Sequence, residues 1–333
     1  MKKRGKGIAC MIYPVGTTSH ANPSAAVVVV NQDGTATVLS GAADVGQGST
    51  TVLAQIAAEE LGIPYDSVAM VTSDTARTPY DHGTNASRVT YVTGNAIQRA
   101  AANAKRVLLE IAAEVLQTSV EGLDAGGGFV YMKGLPEKRI PIGTIAERAF
   151  TARGELPVGS ASYNPVTTDL DSETGQGKPF ATYVFATQIA EVEVDIETGE
   201  VEVLRIVAAH DCGRAINPML VEGQVLGGIC MGVGYALMEE LVLEDGEVKN
   251  PNFVDYVVPT ALDMPHVDVS LIEEPDPTGP YGAKGIGEST MIPTAPAIIN
   301  AIHDAIGVRI RDLPATPQKI LDALKAKEAK RSA

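Results

Sequence analysis

The chain has 333 residues, of which 45% are hydrophobic and 20% charged, and its formal net charge is −15 at pH 7. This length accommodates two domains or one large α/β unit with a sizeable core. Because nucleic-acid binding needs a basic face, the negative charge argues against a nucleic-acid partner. No apolar run approaches the ~20 residues that cross a bilayer. The basic start lacks the apolar stretch of a signal peptide. We therefore expect a cytoplasmic protein with no membrane partner.

In chain order, the first half alternates strand and helix signals. A β-branched run at 25–30, the turn residues Asn31-Gln32-Asp33-Gly34 and a second run at 35–40 predict a hairpin. A helix is predicted at 50–61, before Gly62-Ile63-Pro64, and a short strand at 68–71. After a polar loop, the apolar spacing predicts a long alanine-rich helix at 94–116.

The second half begins with weakly patterned sequence and then becomes clearly β. Residues 117–178 predict loops or a subdomain boundary, with glycines at 126–128. The segments that follow predict a hairpin, a helix, a strand and two closing helices; the first three lie at 182–209, at 217–241 and at 266–272. Such interleaving predicts an α+β fold, with mixed sheets and packed helices, rather than a regular βαβ repeat. The passages 24–61 and 181–241 share one rhythm, which is consistent with a duplicated unit.

The cysteines and histidines form no recognisable ligand pattern. Cys10, Cys212 and Cys230 are odd in number and widely spaced, so a disulfide framework, a zinc site or an iron–sulfur cluster inside this chain is not expected. Reduced thiols in the cytosol are the simplest interpretation. The five histidines show no paired-ligand spacing; they are His20, His82, His210, His266 and His303.

Gly46-Gln47-Gly48-Ser49 separates a predicted strand from a predicted helix. Ser49 is expected to be the N-cap, and the flanking glycines allow the backbone at Gln47 to approach a ligand closely. The first amides of a helix favour an anion or a polar heterocycle. The spacing is neither that of a P-loop nor that of a Rossmann fingerprint, and a capped helix after a glycine turn fits equally well.

Two further polar loops precede helices. In Thr84-Asn85-Ala86-Ser87-Arg88-Val89-Thr90, small side chains permit close ligand approach, and Arg88 is able either to clamp a phosphate or to form a structural salt bridge. In the loop 211–218, helix capping by Asn217 is expected rather than ligand contact.

The segment 279–288 contains glycines at 282, 285 and 287 around Lys284, and it ends on Glu288 just before a helix predicted at 289–302. Glycines permit tight turns with positive φ. A glutamate held at the end of such a loop is placed for proton transfer, although a solvated surface carboxylate is the alternative.

These motifs, in this order, resemble the C-terminal half of the molybdopterin-binding subunit of the xanthine oxidase family of molybdenum hydroxylases. The resemblance covers residues from about 5 to 321, nearly the whole chain, and includes Asn217-Pro218 and the glycines at 223 and 227–228. Within the family, the chain is most similar to the medium molybdopterin subunit of nicotinate dehydrogenase. The motifs of the first half of the usual subunit are missing, so the resemblance implies a naturally split subunit or a fragment of a longer protein.

The resemblance also implies roles for residues. Residues 1–180 and 181–333 would be two parts of the molybdopterin-binding fold, the second carrying the glutamate loop, with Glu288 as the catalytic base. Asn85 and Ala86 would also lie near the substrate, whereas Met231 replaces a glutamine of many relatives and would pack rather than donate. Molybdenum would be held by the pterin dithiolene and by no side chain. The cofactor-binding residues implied are Gly46, Gln47, Gly48, Ser49, Asn85, Ala86, Ser87, Arg88, Thr90 and Met231.

The implied activity is hydroxylation of an N-heteroaromatic substrate, nicotinate being favoured, with oxygen derived from water. The cofactor would be molybdenum with molybdopterin, as the cytosine dinucleotide. The partners would be a larger molybdopterin subunit that completes the site, a [2Fe–2S] subunit and a FAD subunit. Oxidation of xanthine, an aldehyde or carbon monoxide remains open, as do a non-catalytic cofactor-binding or assembly module and an ordinary α+β protein whose loops are only turns.

Overall fold

The computed structural model describes residues 1–17 and 21–332, so His20 lies outside the described residues. The chain divides into two compact units. Unit 1 consists of Met1–Tyr13, Val184–Glu274 and Ile286–Ala333. Unit 2 consists of Pro14–Tyr183 and Pro275–Gly285. Both units contain helices packed on mixed sheets, which confirms the predicted α+β class.

Unit 2 is built on a four-stranded sheet of order β4-β3-β2-β8. The predicted hairpin is confirmed: β2 and β3 are antiparallel, with Val28 opposite Val38, while β4 runs parallel to β3. The buried face of the hairpin carries alternate apolar residues, as the two-residue period of a strand requires. A second sheet, β5-β6-β7, lies in the region predicted to be loops. The elements are β2 Ser24–Val30, β3 Ala36–Ser40, α1 Ser49–Leu61, β4 Val68–Thr72, α2 Gly94–Leu116, β5 Leu123–Gly126, β6 Phe129–Met132, β7 Leu135–Pro141, α3 Ile142–Arg148 and β8 Val158–Tyr163.

Unit 1 is built on a four-stranded sheet of order β1-β9-β10-β13. Strands β9 and β10 form the second predicted hairpin, and β13 runs parallel to β10. One core cluster joins the inner face of this sheet to α4 and α5, through residues such as Val192, Ile229 and Ile302. The elements are β1 Lys2–Pro14, β9 Tyr183–Asp195, β10 Val201–Asp211, α4 Pro218–Leu237, β11 Leu243–Glu244, β12 Glu247–Val248, β13 His266–Ile272, α5 Thr294–Ile306 and α6 Pro317–Ser332.

Helix α4 corrects the expectation that no apolar segment approaches the length that crosses a bilayer. Its 20 residues contain a single charged side chain, Glu222, and by length and composition alone the helix could cross a membrane. Less than half of the segment is buried. Its buried side packs into the core of unit 1, with Val225, Ile229 and Val233 all nearly inaccessible, which is the environment of a core helix. The helix ends at Leu237, four residues before the predicted end.

Candidate functional site

The Gly46 loop is held by its own polar groups. The Gln47 side chain donates to the Ala43 carbonyl (3.0 Å) and to the Ser49 hydroxyl (2.9 Å), and it accepts the Val45 N–H (2.6 Å). Gly46 and Gly48 have φ values of 105° and 81°, which are strained for residues with a Cβ. The loop therefore requires its glycines, and the Gln47 amide is held in a defined orientation.

Ser49 is not the N-cap of α1, so that prediction is wrong. Gly48 occupies the cap position without a side-chain bond, and Ser49 is the first helical residue. Asp44 replaces the cap by accepting the N–H groups of Gly46 (2.9 Å), Gly48 (3.3 Å) and Thr50 (2.9 Å). Partial burial opposes ionisation of the Asp44 carboxyl, but these donors outweigh it and lower its pKa below the ordinary value.

Arg88 is fully buried, and its side chain bonds to residues of unit 2. Its guanidinium donates to Asp81 at 2.8 Å and to the Ser24 hydroxyl at 2.7 Å. It also donates to the Asn22 side chain at 2.5 Å and to the carbonyls of Asn22, Pro23 and Gly83. All five N–H groups are engaged in this way. The phosphate-clamp alternative for this side chain is therefore wrong, and a structural salt bridge is present, buried rather than solvated.

Three predicted motifs meet within unit 2. The Thr84 hydroxyl donates to the Ala43 carbonyl (2.6 Å), which joins the polar loop to the Gly46 loop. Ala86 and Ser87 adopt left-handed φ values of 47° and 52°. A Cβ at Gly285 would overlap the Ser87 carbonyl, so only glycine fits there. Strained backbone at non-glycine residues is common at ligand-binding loops, where the surroundings enforce it.

Lys284 lies in the same unit and is more than nine-tenths buried. Nearby, Asp276 accepts the N–H of Thr278 (2.7 Å) and the hydroxyl of the same residue (2.5 Å). Burial opposes ionisation of the Asp276 carboxyl, but hydrogen bonds from Thr182 and Thr278 and the charge of Lys284 lower its pKa. Lys284 thus contributes its charge to a buried polar cluster of unit 2.

Glu288 belongs to unit 1, where it opens a short 3₁₀ turn, Glu288–Thr290. Its side chain is exposed, whereas Ser289 and Thr290 are buried. The predicted helix follows at Thr294–Ile306, later than expected because the turn and Pro293 precede it. The exposed Glu288 thus stands directly before a buried part of the turn.

Helix α4 supplies the rest of the candidate residues in unit 1. Asn217 caps it by accepting the Leu220 N–H (3.1 Å), as predicted, and Pro218 is its first residue. Gly228 faces Thr290, and a Cβ at this glycine would overlap the Thr290 side chain. Met231 is 56% exposed, so most of its side chain does not pack inside this chain.

Thr90 lies in a π-helical turn, Val89–Thr93, that leads into α2. Such turns often occur at functional sites. Its side chain is half-buried.

Asp44, Asp81 and Gln188 hold the candidate loops in place, but the sequence did not indicate them. Asp44 lies five residues before the first residue of α1, outside the usual cap position. Asp81 and Gln188 bond to residues that are far away in sequence, such as Ser24 and Thr290.

The Gly46 loop is open to the approach of a ligand. No atom lies within 4 Å of a Cβ position at Gly46, so a ligand can approach the backbone there. The first turn of α1 offers amides, only some of which Asp44 accepts. Within residues 1–17 and 21–332, no group of three or more His, Cys, Asp or Glu side chains is placed to hold a metal ion.

The α+β fold and its glycine loops are shared with a family of cofactor-binding proteins. The model of the molybdopterin cofactor-binding domain family matches residues 1–265. The xanthine dehydrogenase molybdenum-binding subunit of Escherichia coli O157:H7 is 36% identical over 329 residues, 96% of this chain and 42% of that protein. The nicotine 6-hydroxylase large subunit of Paenarthrobacter nicotinovorans is 34% identical, over 90% of this chain and 36% of that protein.

The crystal structure of quinoline 2-oxidoreductase from Pseudomonas putida 86 is similar with a TM-score of 0.88 and 31% identity, over 97% of this chain and 42% of that one. The chain therefore belongs to the molybdopterin cofactor-binding family, as found in molybdenum-binding subunits of the xanthine oxidase family, which confirms the resemblance. It spans about two-fifths of the length of these relatives.

Proposed function

We propose that this chain is one half of the molybdopterin-binding part of a molybdenum hydroxylase that acts on an N-heteroaromatic substrate, nicotinate being favoured. The observation that carries the proposal is the exposed carboxylate of Glu288 on an anchored turn, in a chain of a molybdopterin-binding family. Xanthine, nicotine and quinoline, after which three similar proteins are named, are all nitrogen heterocycles, which supports this substrate class.

The cofactor, when bound, would supply the molybdenum centre that accepts electrons and at which oxygen from water is activated. The Gly46–Ser49 loop would donate main-chain amides and the Gln47 amide to the pterin. Asn85–Ser87 would line the cofactor and substrate through backbone and small side chains, and Arg88 would hold this loop in place through its buried bonds. Thr90 and Met231 would contribute contact surface.

Glu288 would act as the general base that removes the proton from the attacking hydroxyl, so that oxygen can add to an electron-poor ring carbon. In this chain alone the side chain is exposed. Its enclosure would come from the part of the relatives that this chain does not span, together with the substrate. We infer that a larger molybdopterin subunit provides that part.

Exposed apolar side chains in unit 1 support a partner subunit. On α4, Met219 and Tyr235 are 73% and 57% exposed, and in the loop that follows, Phe253 and Leu262 are 81% and 97% exposed. Apolar surface of this kind usually marks a protein interface. The same proposal includes the cytosine dinucleotide form of the cofactor, a [2Fe–2S] subunit, a FAD subunit and a cytoplasmic location.

The test is Glu288→Gln in the assembled protein, with nicotinate and xanthine as parallel substrates. Turnover is expected to fall by at least ~10²-fold, because a lost general base typically costs that much, while bound molybdenum stays unchanged. Glu274→Gln, at an exposed carboxylate of the same unit, is the matched control and should keep full activity.

Retention of a tenth of the parent rate by Glu288→Gln would refute the assignment of the base. Faster turnover of xanthine than of nicotinate in the parent would replace the favoured substrate by the alternative. Bound molybdenum with no turnover of any heterocycle would favour the cofactor-binding or assembly module.

A further inference from the structure

A buried amide lies beneath the Glu288 turn. Gln188, on β9, is fully buried. Its Nε2 donates to the Thr290 carbonyl (2.9 Å) and lies 3.0 Å from Nε2 of His210, and its Oε1 accepts the Thr294 hydroxyl (2.7 Å). All four residues belong to unit 1 and are almost inaccessible to solvent.

The chemistry of these partners fixes the orientation of the amide. The Thr290 carbonyl can only accept, so the Gln188 NH₂ group must face it, and Oε1 then faces Thr294. Because the NH₂ group also donates to His210, Nε2 of that imidazole must be the acceptor and Nδ1 carries the proton. Burial lowers the pKa of His210 to about 4, which keeps the imidazole neutral and able to accept at physiological pH.

The turn is clamped at its other points as well. The Thr290 hydroxyl donates to the Gly287 carbonyl (2.7 Å), and the Met291 N–H donates to the Glu288 carbonyl (3.2 Å). Gly228 of α4 lies so close to Thr290 that a Cβ would overlap it. The backbone that carries Glu288 is therefore held from the sheet by Gln188 and from the helix by Gly228.

We propose that Gln188 is a positioning residue for Glu288, which acts through the Thr290 carbonyl and is itself oriented by Thr294 and His210. A buried polar group is costly unless it is hydrogen-bonded, and this network bonds every polar atom of the Gln188 amide at the one turn from which the carboxylate projects. The inference rests on the proposed function, because it assigns the network to the same base.

The test uses Thr294→Val, which removes one hydroxyl at nearly constant volume, and Gln188→Met, which removes the amide, both in the assembled protein. We expect kcat to fall about tenfold for Thr294→Val and further for Gln188→Met, with KM nearly unchanged, because a small misplacement of a catalytic group is costly. Bound molybdenum should stay at the parent level. Thr294→Ser keeps a hydroxyl at this position and should therefore turn over at close to the parent rate, unlike Thr294→Val.

A second readout does not depend on activity. Hydrogen exchange followed by mass spectrometry should show faster exchange of the amides of Met291 and Thr294 in both variants, since these amides close the turn and the start of α5. Ile302→Val is the matched control: it shortens a buried side chain on the same helix, without a polar contact, and should leave both kcat and this exchange unchanged.

If Ile302→Val slows turnover as much as Thr294→Val, or if exchange rises throughout unit 1, the network is merely structural and the proposal is overturned. A parent-like kcat in Gln188→Met, alongside an inactive Glu288→Gln, would also overturn it while leaving the proposed base intact. If Glu288→Gln itself remains active, the failure belongs to the proposed function.

Discussion

The guanidinium of Arg88 joins residues 22–24 to the loop that contains Asp81 and Gly83. Both carboxylate oxygens of Asp81 are used: one meets Arg88 and the Gly83 N–H, and the other accepts the hydroxyls of Ser24 and Thr93. A buried ion pair of this kind is favourable only because its remaining donors and acceptors are also satisfied. In the polar loop, Arg88 is therefore buried, whereas Asn85 is exposed.

We predict that Arg88→Met destabilises the assembled protein by about 3–5 kcal/mol, because it leaves the Asp81 carboxylate buried without its partner. Denaturant unfolding measures the change. Arg106→Met is the control, since Arg106 on α2 forms an exposed pair with Glu110 (3.8 Å) and its substitution should cost less than ~1 kcal/mol. If Arg88→Met leaves the unfolding midpoint unchanged but loses the bound cofactor, Arg88 contacts the ligand, and its structural role is contradicted.

At the scale of elements, strand β1 has a glycine face. Gly5 and Gly7 are buried, and a Cβ at either would overlap the backbone of α5 at Ala301 or Ala297. On its other face, basic side chains pair with carboxylates of β9, for example Lys2 with Glu193 at 2.7 Å and Lys6 with Glu191 at 2.9 Å. The basic start of the chain thus belongs to a sheet, and helix α5 lies directly on strand backbone.

Gly7→Ala should therefore destabilise unit 1 by about 1–3 kcal/mol, the usual cost of overpacking, because strand and helix must separate to admit one methyl group. Thermal unfolding of the assembled protein is the measurement. Lys6→Ala, at the adjacent exposed position, removes a surface ion pair and is expected to change stability by no more than ~1 kcal/mol. Equal effects of the two substitutions would contradict direct packing of the helix on the strand.

The same strand shows where sequence-based prediction stops. Hairpins and long helices were predicted correctly because their buried positions are apolar and recur with the period of a strand or a helix. In β1 the buried positions are glycines, so no hydrophobic period exists, although the strand has 13 residues. The sheet β5-β6-β7 consists of short strands around glycine turns, and one of them, Leu135–Pro141, is almost wholly exposed. Tertiary contacts, not local pattern, form these elements.

The candidate site was predictable in part for a related reason. Glycine-rich loops before helices are visible in sequence because backbone geometry demands glycine at positions such as Gly48 and Gly285. The direction in which a polar side chain points is set by distant partners, so neither the burial of Arg88 nor the bracing by Gln188 follows from local sequence. The roles of the individual loop residues toward a cofactor remain predictions.

At the scale of the whole molecule, the two units share an arrangement of three strands and a helix. Each sheet contains an antiparallel hairpin, a helix after its second strand, and a further strand parallel to that second strand: β4 beside β3, and β13 beside β10. This is the rhythm expected from the passages 24–61 and 181–241. Parallel neighbours end at the same edge of a sheet, where ligands of mixed sheets commonly bind. The Gly46 loop follows β3 and the Arg88 loop follows β4, which explains why distant motifs converge in unit 2.

The stability of the whole protein should depend on His210 in mildly acidic solution. Its pKa is about 4 in the folded chain, against an ordinary value of 6.5, because it is buried. Between these values the unfolded chain binds a proton that the folded chain does not, so stability is complete above pH 6.5 and is lost as the pH falls toward 4. The loss amounts to about 3 kcal/mol, from 1.36 kcal/mol per pKa unit.

Carboxylates that accept ion pairs, such as Glu193, also lose stabilisation as the pH falls, so the informative quantity is the difference between variants. His210→Gln keeps an acceptor for the Gln188 amide but does not titrate, and its free energy of unfolding should depend less on pH between 6.5 and 4 than that of the parent. His266→Gln, at a side chain that is 72% exposed, serves as the control for the loss of a histidine. A parent-like pH dependence in His210→Gln would mean that folding does not lower the pKa of His210. The imidazole would then be protonated in the folded protein below about pH 6.5, and the acceptor on which the orientation of Gln188 depends would be lost there.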